Sequence, residues 1–222
     1  MKKDFASETE LAEYIVNWLK EQGWEVYQEV QFNSIADIVA VKNNQSWIVE
    51  CKTTFGISVL EQAHNWRQMS NYISIAIPYP NYKKHHICNE LANALKIGVL
   101  CVTTKNWEGN RKVEELIKAP LQEEIVHNII TRLNEKQKTW ALAGNNRGER
   151  YTDFKDTVNQ IYEYLKKHPD STLKDIIKNI KHHYRKDSTA QSSISTWIRK
   201  GIIKNIDVKL IGNKYLYNYK EK

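Results

Sequence analysis

The sequence predicts a mixed α/β domain followed by a small, basic domain of short helices and a β-hairpin. Helical and strand-like hydrophobic periods alternate through the first two thirds of the chain. Two later segments, Tyr72–Ile77 and Ile97–Thr103, are nearly continuous apolar runs, as in strands covered on both faces. The charge is also divided. Residues 151–222 carry 15 Lys+Arg against 8 Asp+Glu, which accounts for the whole formal charge of +7, while residues 1–150 carry 18 of each.

From Ser7 to Gly23, Leu11, Tyr14, Ile15, Trp18 and Leu19 recur at helical spacing. Ser7 is placed to cap this helix, with Glu10 three residues on at capping-box spacing. Trp24–Phe32, Ala36–Val41 and Trp47–Lys52 read as three strands, the last two joined by a turn over Lys42–Ser46 that contains Asn43-Asn44. A helix is expected from Val59 to about Asn71, with Leu60, Ala63 and Trp66 inward. The buried strand Tyr72–Ile77 is ended by Pro78 and Pro80. A helix near Ile87–Lys96 precedes the second buried strand, and a long helix over Leu121–Leu142 closes a first domain of residues 1–143.

Gly144-Asn145-Asn146-Arg147-Gly148 has linker composition, so residues 144–150 are assigned as the connection. Residues 151–222 then show helices at Asp153–His168, Ser171–Ile180 (capped by Ser171 or Thr172) and Ser188–Lys200. Strands at Ile202–Ile206 and Asp207–Tyr219 follow, with a turn at Gly212-Asn213. Three short helices and a hairpin in this order resemble the winged-helix layout, a helix-turn-helix variant.

At 222 residues, with 41% hydrophobic and 27% charged residues, the chain has the composition of folded globular protein. No apolar run approaches the roughly 20 residues of a membrane span, and the N-terminal residues have no signal-peptide pattern. Three widely spaced cysteines (Cys51, Cys88, Cys101) argue for a reducing compartment, with the cytoplasm expected. His85-His86-x-Cys88 lacks the second ligand pair of a zinc site. Gly-rich phosphate loops are absent, which argues against an NTPase or a dinucleotide enzyme.

The chemistry-bearing pattern is Asp37 with Glu50-Cys51-Lys52. In a strand, residues i and i+2 share a face, so Glu50 and Lys52 point together and Cys51 points away. Asp37, on the preceding strand, is brought alongside by the turn. Two carboxylates bind Mg²⁺ or Mn²⁺ while leaving room for water and a phosphate oxygen, and Lys52 beside them can orient or help deprotonate that water and stabilise a pentavalent phosphorus. This arrangement, Asp37 then Glu50-x-Lys52 within ADIVAV–turn–WIVECK, resembles the PD-(D/E)xK nuclease superfamily with its restriction-endonuclease-like mixed sheet flanked by helices. The likeness covers roughly residues 5–105, and the proline usual before the first Asp is replaced by Ala36.

The resemblance implies a Mg²⁺- or Mn²⁺-dependent DNA endonuclease, with metal held by Asp37, Glu50 and the Cys51 backbone carbonyl. It also implies a Glu in the first helix as a further ligand or water-holder. Glu10 is the first choice, with Glu8, Glu13 and the strand residue Glu29 as competitors, and for each a solvated surface position is the ordinary alternative. Gln62-x-x-x-Trp66 is similar to the Gln-x-x-x-Tyr pattern of exonuclease-like members, which makes Gln62 a candidate beside a core Trp66.

In the basic domain, helix Ser188–Lys200 occupies the recognition-helix position. Lys186, Ser188, Thr189, Gln191, Ser192 and Arg199, with Lys214 at the hairpin turn, are the candidate nucleic-acid contacts. DNA is the expected partner, a protein partner through this domain is the competitor, and a homodimer fits double-strand cleavage. The rival function is a nuclease-fold DNA-binding regulator or targeting subunit that no longer cuts. Cleavage of structured RNA stays open.

Overall fold

The computed structural model describes residues 4–104, 106, 109–122, 124–145 and 150–221. The chain divides into two compact units, Met1–Tyr151 and Thr152–Lys222. Residues 146–149 of the expected linker lie outside the described residues.

The first unit is an α/β structure around a six-stranded mixed sheet whose strands lie side by side in sequence order. Helix α1 (Glu8–Glu21) begins at Ser7, whose side chain accepts the Glu10 N–H. An antiparallel meander follows, β1 (Glu25–Gln31), β2 (Ile35–Lys42) and β3 (Gln45–Cys51). Asn43 and Asn44, at φ +51° and +61°, supply the left-handed pair of a two-residue hairpin turn. Helix α2 (Ile57–His64) carries the chain over to β4 (Tyr72–Pro78), parallel to β3. Helices α3 (Tyr79–Lys84) and α4 (His86–Ala94) then lead to β5 (Gly98–Val102), parallel to β4, and β6 (Val113–Ile117) closes the sheet antiparallel. Strands β4 and β5 are buried nearly throughout, as their continuous apolar runs require.

Strand alternation sends neighbours to two cores. Leu11, Ile15 and Leu19 of α1 pack on Ile38, Val49 and Leu100. On the other face Leu60, Ala63 and Trp66 pack on Ile48, Ile73, Ile75 and Val99, joined by Ala92 of α4.

Three expectations for the first unit are corrected. The helix after β3 is one short element ending at His64, because beyond Asn65 the N–H groups reach back only three residues, as in Trp66 to Ala63 and Met69 to Trp66. Pro80, expected only to end a strand, sits in the first turn of α3, where its missing N–H costs nothing. The long helix over 121–142 does not form. That tract is irregular, with 3₁₀ turns at Ile129–Arg132 and Glu135–Lys138. Asn128 and Asn134 open these turns by accepting the Ile130 and Lys136 N–H groups, a local alternative to helix. Leu121, Val126 and Leu142 are exposed, so no apolar stripe holds a helix against the sheet.

The second unit consists of α5 (Asp153–Lys167), β7 (Ser171–Thr172), α6 (Leu173–Asn179), α7 (Asp187–Arg199), β8 (Ile206–Ile211) and β9 (Lys214–Tyr219). Its antiparallel sheet has the order β7-β9-β8. The core is Ile161, Leu165, Ile176, Ile177, Ala190, Ile194, Ile203 and Tyr217. Thr152 and Thr172 cap α5 and α6 through their side chains. Ile202–Ile206 is not a strand. Gly201, at φ +67°, turns the chain so that Ile202 and Ile203 donate back to the Trp197 carbonyl, and the hairpin starts only at Ile206. Strand β7 leaves no mark in the sequence, since two residues are too short to show alternation. Among the described residues, no helix is long and apolar enough to cross a membrane.

Candidate metal and phosphodiester site

The last paired residues of β2 and β3 are Ile38 and Val49. Continuing that register by one position sets Asp37 opposite Glu50. On the other side of β2, the pairs Gln28–Ile38 and Val30–Ala36 bracket Glu29 and Asp37. Three carboxylates, Glu29, Asp37 and Glu50, therefore stand in a row across three adjacent strands.

The Asp37 and Glu50 side chains are close enough to act on each other's ionisation. One oxygen of each is committed to a protein donor. The Cys51 N–H donates to Asp37 Oδ2 at 2.8 Å, and the Trp66 indole N–H donates to Glu50 Oε1 at 2.7 Å. Glu50 is 4% exposed and Trp66 1%. Burial, and then the charge of Asp37, push Glu50 up to about 8. Burial also raises Asp37, opposed by the Cys51 N–H and the Lys52 charge. Both carboxyls are therefore pushed toward the protonated form, chiefly by burial.

Lys52 Nζ bonds Glu8 Oε2 at 2.8 Å, and both side chains are mostly buried. Burial opposes the lysine's charge, but the Glu8 hydrogen bond and the surrounding carboxylates outweigh it and raise its pKa. Lys52 is thus a fixed ammonium.

Glu29 is 5% exposed and takes φ +52°, a left-handed conformation inside a strand that costs about 1 kcal/mol or more without other support. The support comes from residues 143–145. Ala143 N–H donates to Gln28, Asn145 N–H donates to Glu29 Oε1 at 3.2 Å, and Thr9 Oγ1 donates to the Gly144 carbonyl. Burial and the nearby Asp37 charge push Glu29 up to about 7.

The structure brings together Asp37, Glu50, Lys52, Glu8 and Glu29. It does not bring Glu10. That carboxylate accepts the Ala6 N–H at 2.7 Å, serving the start of α1, and Glu13 is exposed. Gln62 lies exposed on α2, with no hydrogen bond to the trio among the described residues. Trp66, read as a core residue, is both buried and bonded to a site carboxyl. The Cys51 thiol faces the α1 core, where burial raises its pKa well above the ordinary value, so it is no nucleophile. In a strand a residue's N–H and C=O face the same neighbour, so the Cys51 carbonyl faces the strand that carries Asp37.

In the second unit, Lys186, Ser188, Thr189, Ser192, Arg199 and Lys214 are exposed, and Gln191 is half-buried. Comparison with family models, curated proteins and solved structures finds no match to the chain.

Proposed function

We propose that the chain is a divalent-metal-dependent phosphodiester hydrolase acting on DNA, of restriction-endonuclease-like type, with a winged-helix-like second unit that holds the DNA. The observation that carries this reading is the buried contact between Asp37 and Glu50 with the Lys52 ammonium beside it. Two carboxyl groups pressed together out of water need either a shared proton or a cation between them. Their hard oxygens, open on one side because Asp37 is only half-buried, suit Mg²⁺ or Mn²⁺.

Asp37, Glu50 and the Cys51 carbonyl would hold the ion, and binding would compete with protonation of the pair. A bound divalent ion supplies a water of lowered pKa and neutralises charge on the phosphoryl oxygens. Trp66 orients the Glu50 carboxyl and Cys51 N–H orients Asp37. Lys52 has the charge to hold a water in line and to stabilise added negative charge on phosphorus. Because its pKa is raised, electrostatic stabilisation suits it better than proton abstraction. Glu8 fixes the ammonium in place.

The α7 surface and hairpin tip carry short polar side chains with Lys186, Arg199 and Lys214, which suits phosphate contact. The test is incubation of supercoiled, linear and single-stranded DNA with the wild-type chain, Asp37→Ala and Lys52→Ala, with Mg²⁺, Mn²⁺ or EDTA. Cleavage by wild type alone, abolished by EDTA, is the expected result. Equal behaviour of all three proteins overturns the hydrolase reading and leaves the DNA-binding regulator.

A further inference from the structure

A second concave site lies on the opposite face of the first unit's sheet, toward the other end of β3. Trp47, three residues before Glu50, points to the α1 face, whereas Glu50 points to the α2 face. Trp47 is 7% exposed, and its indole N–H donates to Ser74 Oγ at 3.0 Å, so it is a fixed floor. Three half-buried rings stand steeply against it: Trp24 at 5.5 Å and 67°, Trp18 at 6.0 Å and 77°, and Tyr72 at 6.3 Å and 63°. These four rings line a cavity of about 310 Å³.

The chain builds the rim with care. Gly23, at φ +80°, turns the chain after α1 so that Trp24 returns beside Trp18, and Lys42 Nζ ties β2 to the Gln22 carbonyl at 2.7 Å. The charged lining is Lys42, Lys118 and Glu115, two ammonium groups against one carboxylate, and Glu115 already accepts the Ala119 N–H. A quaternary ammonium, the usual occupant of an aromatic box, would be repelled by the lysines. The cavity fits instead a ligand with a flat π-surface and a negative charge. Its volume, at the small end of the roughly 300–1,000 Å³ of ligand sites, admits one such unit and excludes a duplex. Gln22 and Gln45 belong to the same lining, and the Gln45 side chain, whose oxygen accepts the Tyr72 hydroxyl, keeps an amide NH2 that a heterocycle edge can use and a plain aromatic ring cannot.

We infer that this cavity binds a single nucleotide, the base stacked against the indoles and the phosphate held by Lys42 and Lys118. Free mononucleotide and one nucleotide of a single strand share this chemistry. Stacking on aromatic side chains tolerates any base, so modest base preference is expected.

The test is calorimetric titration of the full chain in EDTA, which separates binding from any cleavage at Asp37 and Glu50. The probes are deoxyadenosine monophosphate, deoxyadenosine, inorganic phosphate, tetramethylammonium and a five-nucleotide single strand, against wild type, Trp24→Ala and Lys118→Ala. Saturable binding of the monophosphate, weakened about tenfold or more by Trp24→Ala, is expected. Lys118→Ala should weaken the monophosphate and leave deoxyadenosine unchanged, a pattern that general unfolding would not produce. A pentanucleotide that outbinds the monophosphate, with the gain lost in Trp24→Ala, identifies strand nucleotides as the source; the reverse order identifies free nucleotide. Absence of saturable monophosphate binding, binding insensitive to both variants, or preference for tetramethylammonium overturns the assignment.

Discussion

Trp66 and Glu50 are joined by a 2.7 Å hydrogen bond in which a fully buried indole fixes a carboxyl of the proposed metal site. The donor comes from the turn after α2 and the acceptor from the end of β3, so the bond couples the packing of one face to the chemistry on it. Trp66→Phe keeps most of the apolar volume and deletes the donor. Partners that orient a metal-binding group are typically worth 10–100-fold in metal affinity or activity, and a loss in that range is expected. Mg²⁺ titration of cleavage separates the two. If Mg²⁺ affinity and turnover both stay at wild-type values, Trp66 is core packing and nothing more.

The raised carboxyls predict how stability follows pH when no divalent ion is bound. Glu50 is pushed up to about 8 and Glu29 to about 7, against an ordinary value of 4.5. Between those limits the folded chain keeps protons that the unfolded chain has released, so these groups make stability fall as pH rises from 4.5 toward 8. Below the window both states are protonated and the penalty vanishes. In EDTA the wild-type Tm should therefore drop from about pH 5.5 to about pH 8.5 more than that of Glu50→Gln, which carries no titrating group there. Mg²⁺ at a hundredfold over its Kd should restore about 2.7 kcal/mol. Parallel Tm profiles for the two proteins would refute the buried-proton account.

Glu8 and Lys52 form the other fixed pair, and here the same sign acts in a more alkaline window. A lysine whose folded pKa is raised contributes stability throughout the neutral range and loses it only as pH climbs through that raised value. Glu8→Gln should cost roughly 1 kcal/mol at neutral pH, as for a partly exposed ion pair. Its clearer effect is on activity: the alkaline limb of the pH–rate profile should move to lower pH, because the lysine gives up its proton more easily. An unmoved limb would mean that Glu8 does not set the charge of Lys52.

Gly144 is where the chain leaving the 3₁₀ tract meets the site. It takes φ +72°, and a Cβ there would lie 2.9 Å from the Glu8 carbonyl carbon. Gly144→Ala is expected to destabilise the first unit by about 1–3 kcal/mol and to pull Asn145 N–H away from Glu29. Denaturant unfolding checks the first part. The second is checked by Glu29→Gln, whose effect on activity should shrink in the Gly144→Ala background.

How much of this was legible beforehand differs by residue, for physical reasons. Asp37, Glu50 and Lys52 could be placed together because a strand's period of two is rigid and the Asn-Asn turn forces β2 and β3 side by side. Glu8 holds the place expected of Glu10, yet the capping-box spacing from Ser7 already engages Glu10 at the helix start, where its carboxylate accepts the Ala6 N–H. The spacing holds the information against that expectation. Glu29 was visible as an acid on a strand, but its left-handed backbone depends on residues 143–145, more than a hundred positions away. Trp66 looks like any core tryptophan until the turn that carries it is set against β3. The expected helix over 121–142 failed because Asn128 and Asn134 cap local turns, a competition that hydrophobic spacing alone does not register.

The second unit gives the last prediction. Its excess charge of +7 belongs to residues 151–222, and Lys186, Arg199 and Lys214 are exposed. If these meet DNA phosphates, each releases a counterion on binding, and log K should fall with log salt by about 0.9 per contact. Removing one contact by Lys186→Ala or Arg199→Ala should flatten that slope by about one and weaken binding alike on every sequence. Substituting Ser188 or Ser192 instead should leave the slope unchanged and alter discrimination between sequences where a base edge is touched. Binding that ignores salt would mean that the basic surface serves a protein partner, since phosphate neutralisation cannot be insensitive to the ions it displaces.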